Sequence, residues 1–297
     1  MTLPRQHARH AEPDDQPAEL DLLIDRLFGA DPHVRPAALR QLGALADASP
    51  ELRPHVVEAV CAWLRSPWDV HRAAATDVRP DVATDVRPDV ATDAPDCSGE
   101  PELRRAGLSL LADRLRDPRS PTSWTGFDLD LAGAVLTGAD LSGCWFTGGL
   151  VRLEGVWCIE GRLSLAGAHV TGGHLSLRHW TSGQGDVDLS GAWFTGGVVS
   201  FAGAVLPSGT VCLAGAVVDG GVVAFTEASV CGGTVDLSGV TVTRGTLSLA
   251  DARVSSGRVL LVDARLLGGS AVFRHAALPG DALVTAGAQA SSGVLLR

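Results

Sequence analysis

Three sets of residues have types and spacings that could do chemistry. Asp140, Asp188 and Asp236 recur every 48 residues, and carboxylates held several ångströms apart can serve as acid and base on a glycosidic bond. His169, His174 and His179 stand five apart; imidazole is the commonest metal ligand. Trp145, His169 and Trp193 recur every 24 residues, and aromatics in line can stack on a sugar or on a partner's surface. Against these stand the motifs that are missing. The six cysteines (Cys61, Cys97, Cys144, Cys158, Cys212, Cys231) form no Cys-x-x-Cys pair, and no HExxH, GxSxG or GxGxxG occurs. Zinc, disulfide and nucleophile frameworks therefore lack their spacing.

Composition narrows the chemistry further. The chain has 297 residues and a formal net charge of −10, and all 24 of its basic Lys/Arg positions are Arg. Lys, Asn and Tyr are absent and Ile occurs twice, the mark of a GC-rich genome. Without Lys there is no P-loop lysine, kinase lysine or Schiff base. The acidic balance argues against direct nucleic-acid binding, which works by neutralising phosphates. Residues 1–16 are polar and charged, and no run of 18 apolar residues exists, so neither a signal peptide nor membrane insertion is expected. A reduced, cytoplasmic setting follows from the scattered thiols.

The elements that position these residues fall into two regions. In the N-terminal third, Asp31-Pro32 reads as a cap and first helical position, followed by Leu39, Leu42, Leu45 and Ala46 at helical spacing. Ser49-Pro50 repeats the start signal ahead of Val56, Val57, Val60, Trp63 and Leu64, and flanking helices are expected at 18–28 and 101–116. Between them ATDVRPDV stands twice, at 75–82 and 83–90. Its prolines and acidic excess cannot bury enough apolar surface to offset chain entropy, so it reads as a disordered insertion.

The remainder is periodic. Leu131, Leu136, Leu141 and Phe146 fall every fifth position, with Ala134, Ala139 and Cys144 two before the last three. From 138 onward a twelve-residue block recurs thirteen times, as x-V-x-L-x-G-A-x-V-x-G-G. Alternation at places 2/4 and 7/9 gives two short strands per block with inward apolar side chains, among them Leu189, Phe201, Leu213, Phe225 and Leu237 at place 4. Glycines supply the corners. One block cannot enclose its own apolar face, so blocks must stack as a solenoid. Thr147, Thr171, Thr195 and Thr243 at place 10 share one parity, as do Phe201, Phe225 and Phe273 at place 4. Two blocks, about 24 residues, therefore make one coil.

The run LDLAG-AVLTG-ADLSG-CWFTG (129–148) resembles the pentapeptide repeat proteins, whose units read A(D/N)Lxx. The resemblance implies a right-handed, quadrilateral β-helix with Leu131, Leu136, Leu141 and Phe146, and Ala134, Ala139 and Cys144, facing inward. Later blocks such as TVDLSGVTVTRG (234–245) resemble the expanded twelve-residue version of actinobacterial members, and residues 39–65 resemble the helical preamble of that group. The expected fold is mostly β, a solenoid of about 24 residues per coil behind a small α-helical domain. The expected boundaries are a disordered 1–16, helices over 17–117 with the disordered insertion at about 75–97, a linker at 118–126, and the solenoid over 127–297.

On this frame the histidines fall on different walls, and the carboxylates lie two coils apart, roughly 10 Å, as solvated charge. No catalytic, cofactor-binding or metal-binding set is expected. Trp145, His169 and Trp193 stack outward in one column, with Trp157 and Val205 in another. They form either an interaction surface or a patch that the N-terminal helices bury. The last block, 282–293, carries weak inward residues in Thr285 and Ala290, and its open sheet edges suggest a homodimer through that end. The functional reading is a non-catalytic scaffold for an unidentified protein partner. The alternative, implied by the resemblance, is a DNA mimic that inhibits or protects a type II topoisomerase (gyrase). From residue 127 onward, however, 13 acidic residues face nine Arg, a modest negative potential. A third reading is a carbohydrate-binding or enzymatic β-helix.

Overall fold

The computed structural model describes residues 16–68, 99–159, 161–181, 185–290 and 295–296. The octad repeat and most of the expected disordered N-terminus lie outside the described residues. Among the described residues four helices precede the solenoid: α1 (Gln16–Phe28), α2 (Arg35–Ala48), α3 (Arg53–Arg65) and α4 (Glu100–Leu115), with a 3-10 turn at Pro50–Leu52 leading into α3. Gln16, assigned above to the disordered tail, is helical, and its Oε1 accepts a hydrogen bond from Ser49 Oγ at 2.8 Å.

Asp31-Pro32 does not start α2. The Asp31 carboxylate instead accepts the His33 N–H at 2.9 Å to close a turn. The helix begins at Arg35, where Pro36 occupies the first turn and loses nothing by lacking an N–H. Arg35 also donates to Gly29 O at 2.8 Å and pairs with Glu100 at 2.8 Å, fixing that start against α4.

Arg104 of α4 is buried and donates to Leu64 O at 2.6 Å and Ser66 O at 2.8 Å. These carbonyls close α3, where a cation meets both orphan acceptors and the helix dipole. Glu100 balances it at 2.9 Å, while Trp63 and Trp68 lie against the guanidinium. Burial pulls the Arg104 pKa down against the Glu100 charge, which holds it up.

Behind the helices the chain winds into a four-walled tube. Its walls are an eight-stranded sheet, two seven-stranded sheets, and a fourth divided into two- and three-stranded pieces, all parallel. The register shows the period: Val187 pairs with Val211, and Val211 with Val235. The first turn is two residues shorter, Leu129 pairing with Val151, because its first two units, 129–138, span ten residues where each later block spans twelve. Each coil donates N–H groups to, or accepts them from, the next, as in Leu213 N to Asp236 O at 2.7 Å. Leu131, Leu136, Leu141, Phe146, Leu189, Phe201, Leu213, Phe225 and Leu237 are all buried. Phe201 and Phe225 stack at 4.7 Å and 3°.

Place 6 takes positive φ in all thirteen blocks. Eight of those residues are Gly; the others are His179, Glu227, Asp251, Asp263 and His275. The Gly pair at places 11–12 answers a different need: a Cβ on Gly172 would sit 2.5 Å from Thr147 O in the preceding coil. In block 174–185 Trp180 fills the inward place that other blocks give to Ala, Val or Cys, donating from Nε1 to Gly185 O at 3.2 Å, and among the described residues the bridge from Thr181 to Val205 carries the wall onward.

The helices close the N-terminal mouth of the tube, α3 and α4 meeting the first strands of three walls. The 118–126 connection is packed rather than slack. Trp124 is fully buried under the Arg114 guanidinium at 5.1 Å, and its backbone N–H donates to Arg114 O at 3.0 Å.

Large inward side chains contribute about 1.5–3 kcal/mol each, before chain entropy is subtracted. Leu213→Asp, mid-tube, places an unpaired carboxylate where no water reaches and should cost on the order of 4 kcal/mol or more. Denaturant melts of the variant and the wild type check this; near-equal midpoints would remove Leu213 from the lumen.

Candidate functional site: the aromatic wall

The wall that runs through Trp145–Phe146, His169–Val170, Trp193–Phe194 and Val217–Val218 is strictly in register, each pair bonded to the next. Alternation sends Phe146, Val170, Phe194 and Val218 inward, where all are buried, and turns Trp145, His169 and Trp193 outward. Because successive strands lie about 4.8 Å apart, in-register rings must stack. Trp145 and His169 do so at 4.0 Å and 7°, and His169 and Trp193 at 6.4 Å and 20°. The ring normals thus run along the tube, and the stack presents its ring edges to solvent.

The helices do not bury this stack. They meet the opening strands of the other three walls, and Trp193 remains 47% exposed. Trp145 and His169 are half-buried. Burial of the imidazole lowers the His169 pKa below its ordinary value. Beside the rings, Thr147, Thr171 and Thr195 are exposed at place 10 of the same three coils. Neither outward row holds a charge until Asp219, one coil further on. Trp157 and Ile159 are exposed on the opposite wall, and Val205 lies further along it.

The three carboxylates have a structural task. Asp140, Asp188 and Asp236 each accept the backbone N–H two residues on, from Ser142, Ser190 and Ser238, at 2.9 Å. Ser164 and Cys212 stand between them in the register. Burial raises the Asp140 pKa, but the bonds from Ser142 and the nearby Arg116 outweigh it, and the net shift is downward. The Asp-x-Ser spacing was present in the sequence as a signal for this corner cap.

His169, His174 and His179 are not brought together: the first lies on the aromatic wall, the second on the next wall, and the third at a corner with φ of 54°. Among the described residues no group of His, Cys, Asp and Glu could hold a metal ion.

Features that periodicity alone did not reveal lie at the two ends. At the first coil, Arg65 and Arg152 both pair with Asp130 in a groove of about 570 Å³ beside α3. At the last described coil, Leu261, Leu266, Phe273 and Leu283 line an open cup of about 950 Å³. Thr285 and Ala290 are exposed at its rim. Among the described helices none is long and apolar enough to cross a membrane.

The family model described as Pentapeptide repeats (8 copies) matches residues 128–149. No curated protein and no solved structure matches the chain.

The cysteines give a direct check on lumen and surface. Burial pushes the thiols of Cys61, Cys144 and Cys158 up to about 12, whereas Cys231 is exposed. Iodoacetamide at pH 8 followed by peptide mapping should label Cys231 in the folded protein and the other three only on unfolding. Early labelling of Cys144 or Cys158 would contradict their inward placement.

Proposed function

The solenoid of this chain opens in pentapeptide repeats, at residues 128–149, and from that premise we propose a non-catalytic scaffold whose aromatic wall docks a protein partner. The observation that carries this reading is the exposed Trp193, standing with His169 and Trp145 in an uncharged strip of three coils. Buried tryptophan is a typical centre of binding energy in protein interfaces. A large half-exposed indole in a strip without Asp, Glu or Arg favours an uncharged, apolar partner surface over a basic one. The edge-on geometry counts against the carbohydrate reading, since sugars pack on ring faces, which this stack turns toward one another. Acidic side chains on the tube are spent on corner caps and on pairs such as Asp219–Arg244 at 2.7 Å. That pairing weakens the case for a DNA mimic.

Trp193→Asp should keep the wild-type fold while losing crosslinked partners that an exposed control, Ser256→Asp, retains. Equal capture by both variants would count against the wall. A gyrase supercoiling assay separates the alternative, and inhibition by purified wild type at micromolar concentration would favour the mimic instead.

The cup at the last described coil supports a second contact, with another copy of this chain. There the final strands present open sheet edges around apolar walls. Light scattering at micromolar concentration should report a dimer that deletion of 282–297 converts to monomer. A monomer in both cases would reject it.

A further inference from the structure

We propose that His169 makes the aromatic wall pH-sensitive, its imidazole serving as an uncharged spacer between two indoles at neutral pH and placing a charge in the middle of the docking strip when protonated. The inference rests on the docking role proposed above for its consequence, but not for its physics.

The geometry supplies the argument. The imidazole is held face to face with Trp145 at 4.0 Å and 7°, and it is covered on its other side by Trp193 at 6.4 Å and 20°. Its backbone is fixed in the ladder on both sides, His169 N donating to Cys144 O at 2.9 Å and Trp193 N to Ala168 O at 2.8 Å. The strand is thereby held in place, and the ring gives up its stacking on the indoles if it turns out to solvent.

The surroundings offer the cation no counter-ion. The three strands and the corners beside them, residues 142–149, 166–173 and 190–197, hold Ser, Gly, Cys, Trp, Phe, Thr, Ala, His and Val, with no other charged or titratable side chain except the inward thiol of Cys144. Along the chain the first charged or titratable residues beyond them are Asp140, Arg162 and Asp188 before these strands, and Arg152, His174 and Cys212 after them; from α4, Arg116 reaches Ser142 O and is paired with Asp113 and Asp140. Asp219 lies one coil above Trp193, where it is engaged by Arg244 and Thr243.

Two effects compete in such a sandwich. Attraction between imidazolium and the indole faces favours the charged form, and loss of water disfavours it. Desolvation wins here, in line with the downward shift of this histidine. A partner that covers the strip removes still more water from His169, so docking and protonation oppose one another. Binding is then strongest above the ordinary imidazole pKa and weakens as pH falls through the lowered one. Stability follows the same sign: the folded protein binds fewer protons at this site than the unfolded chain, so the contribution of His169 is present above about 6.5 and fades below it.

The test needs no partner. In the full chain, the imidazole Cε1–H resonance of His169, assigned by its disappearance in His169→Phe, is titrated by NMR. The expected midpoint lies below the ordinary histidine value, and it moves back toward that value in Trp193→Ala, which re-admits water to one ring face. A midpoint at or above the ordinary value, or one unmoved by Trp193→Ala, overturns the proposal whether or not the wall docks a protein.

Retention on a phenyl resin reads the consequence. Wild type should be held less tightly at pH 5 than at pH 7.5, by a larger margin than His169→Phe, which keeps the stack but cannot titrate. Equal margins for the two proteins overturn the switch, whereas loss of the docking role alone would leave both the NMR and the resin results intact.

Discussion

A parallel coil stacked on its neighbour with a 24-residue offset is the constraint on which everything else in this molecule depends. Each strand is only two or three residues long, far too short to hold itself. Its N–H and C=O groups are satisfied only because the coils before and after lie in register along all four walls. The same register lines up the lumen, where Val, Leu and Phe from successive coils make one continuous core. Stability of any coil is therefore borrowed from its neighbours, and the ends are where the arrangement needs help. At the first coil that help is visible: α3 and α4 lie over the mouth, Thr137 Oγ1 donates to Pro101 O at 2.7 Å, and Arg116 Nε donates to Ser142 O at 3.1 Å.

Much of this was legible because the constraint leaves a periodic trace. Inward places tolerate only apolar residues of the right volume, and so Leu189 through Leu237 stand out at a glance. Parity at places 4 and 10 distinguished a 24-residue coil from a 12-residue one, since only residues in the same column meet. What was not legible is what periodicity does not constrain. Asp31-Pro32 and Arg35-Pro36 both offer a proline for the first helical turn, and the tertiary partners of Arg35 hold the start at the second. Trp180 stands at a place that other blocks give to a small or β-branched residue, and nothing in the period announces that its indole is fully buried. Trp124 lay in a segment without repeat character, and its burial is set by Arg114 and the helix above it.

The candidate site was legible in a different sense. Register placed Trp145, His169 and Trp193 in one column, and stacking follows from strand spacing. Exposure did not follow, because it depends on where the helices come to rest, and that is decided by the non-periodic third. The carboxylates show the converse error that spacing invites. Three aspartates in line look like a reactive row, but at a corner of a short strand the more pressing need is a partner for the turn's backbone N–H, and the side chain two residues earlier supplies it.

Corners also show where the tube departs from the cheapest backbone. Four of the five non-glycine residues with positive φ, His179, Glu227, Asp251 and His275, lie on a single edge of the tube, while the corresponding opposite edge is glycine except at Asp263. Left-handed backbone costs an L-residue about 1–2 kcal/mol, so polar side chains on that edge stand where glycine is the less strained choice. Asp251 and His275 meet there at 3.3 Å. The strain is tolerable because neighbouring coils bond to these corners, as Glu227 N to Ala250 O at 3.0 Å and Asp251 N to Arg274 O at 2.9 Å. A solenoid of this kind can therefore display side chains outward in positions that an isolated turn would reject, and its outer surface is freer to vary than its lumen.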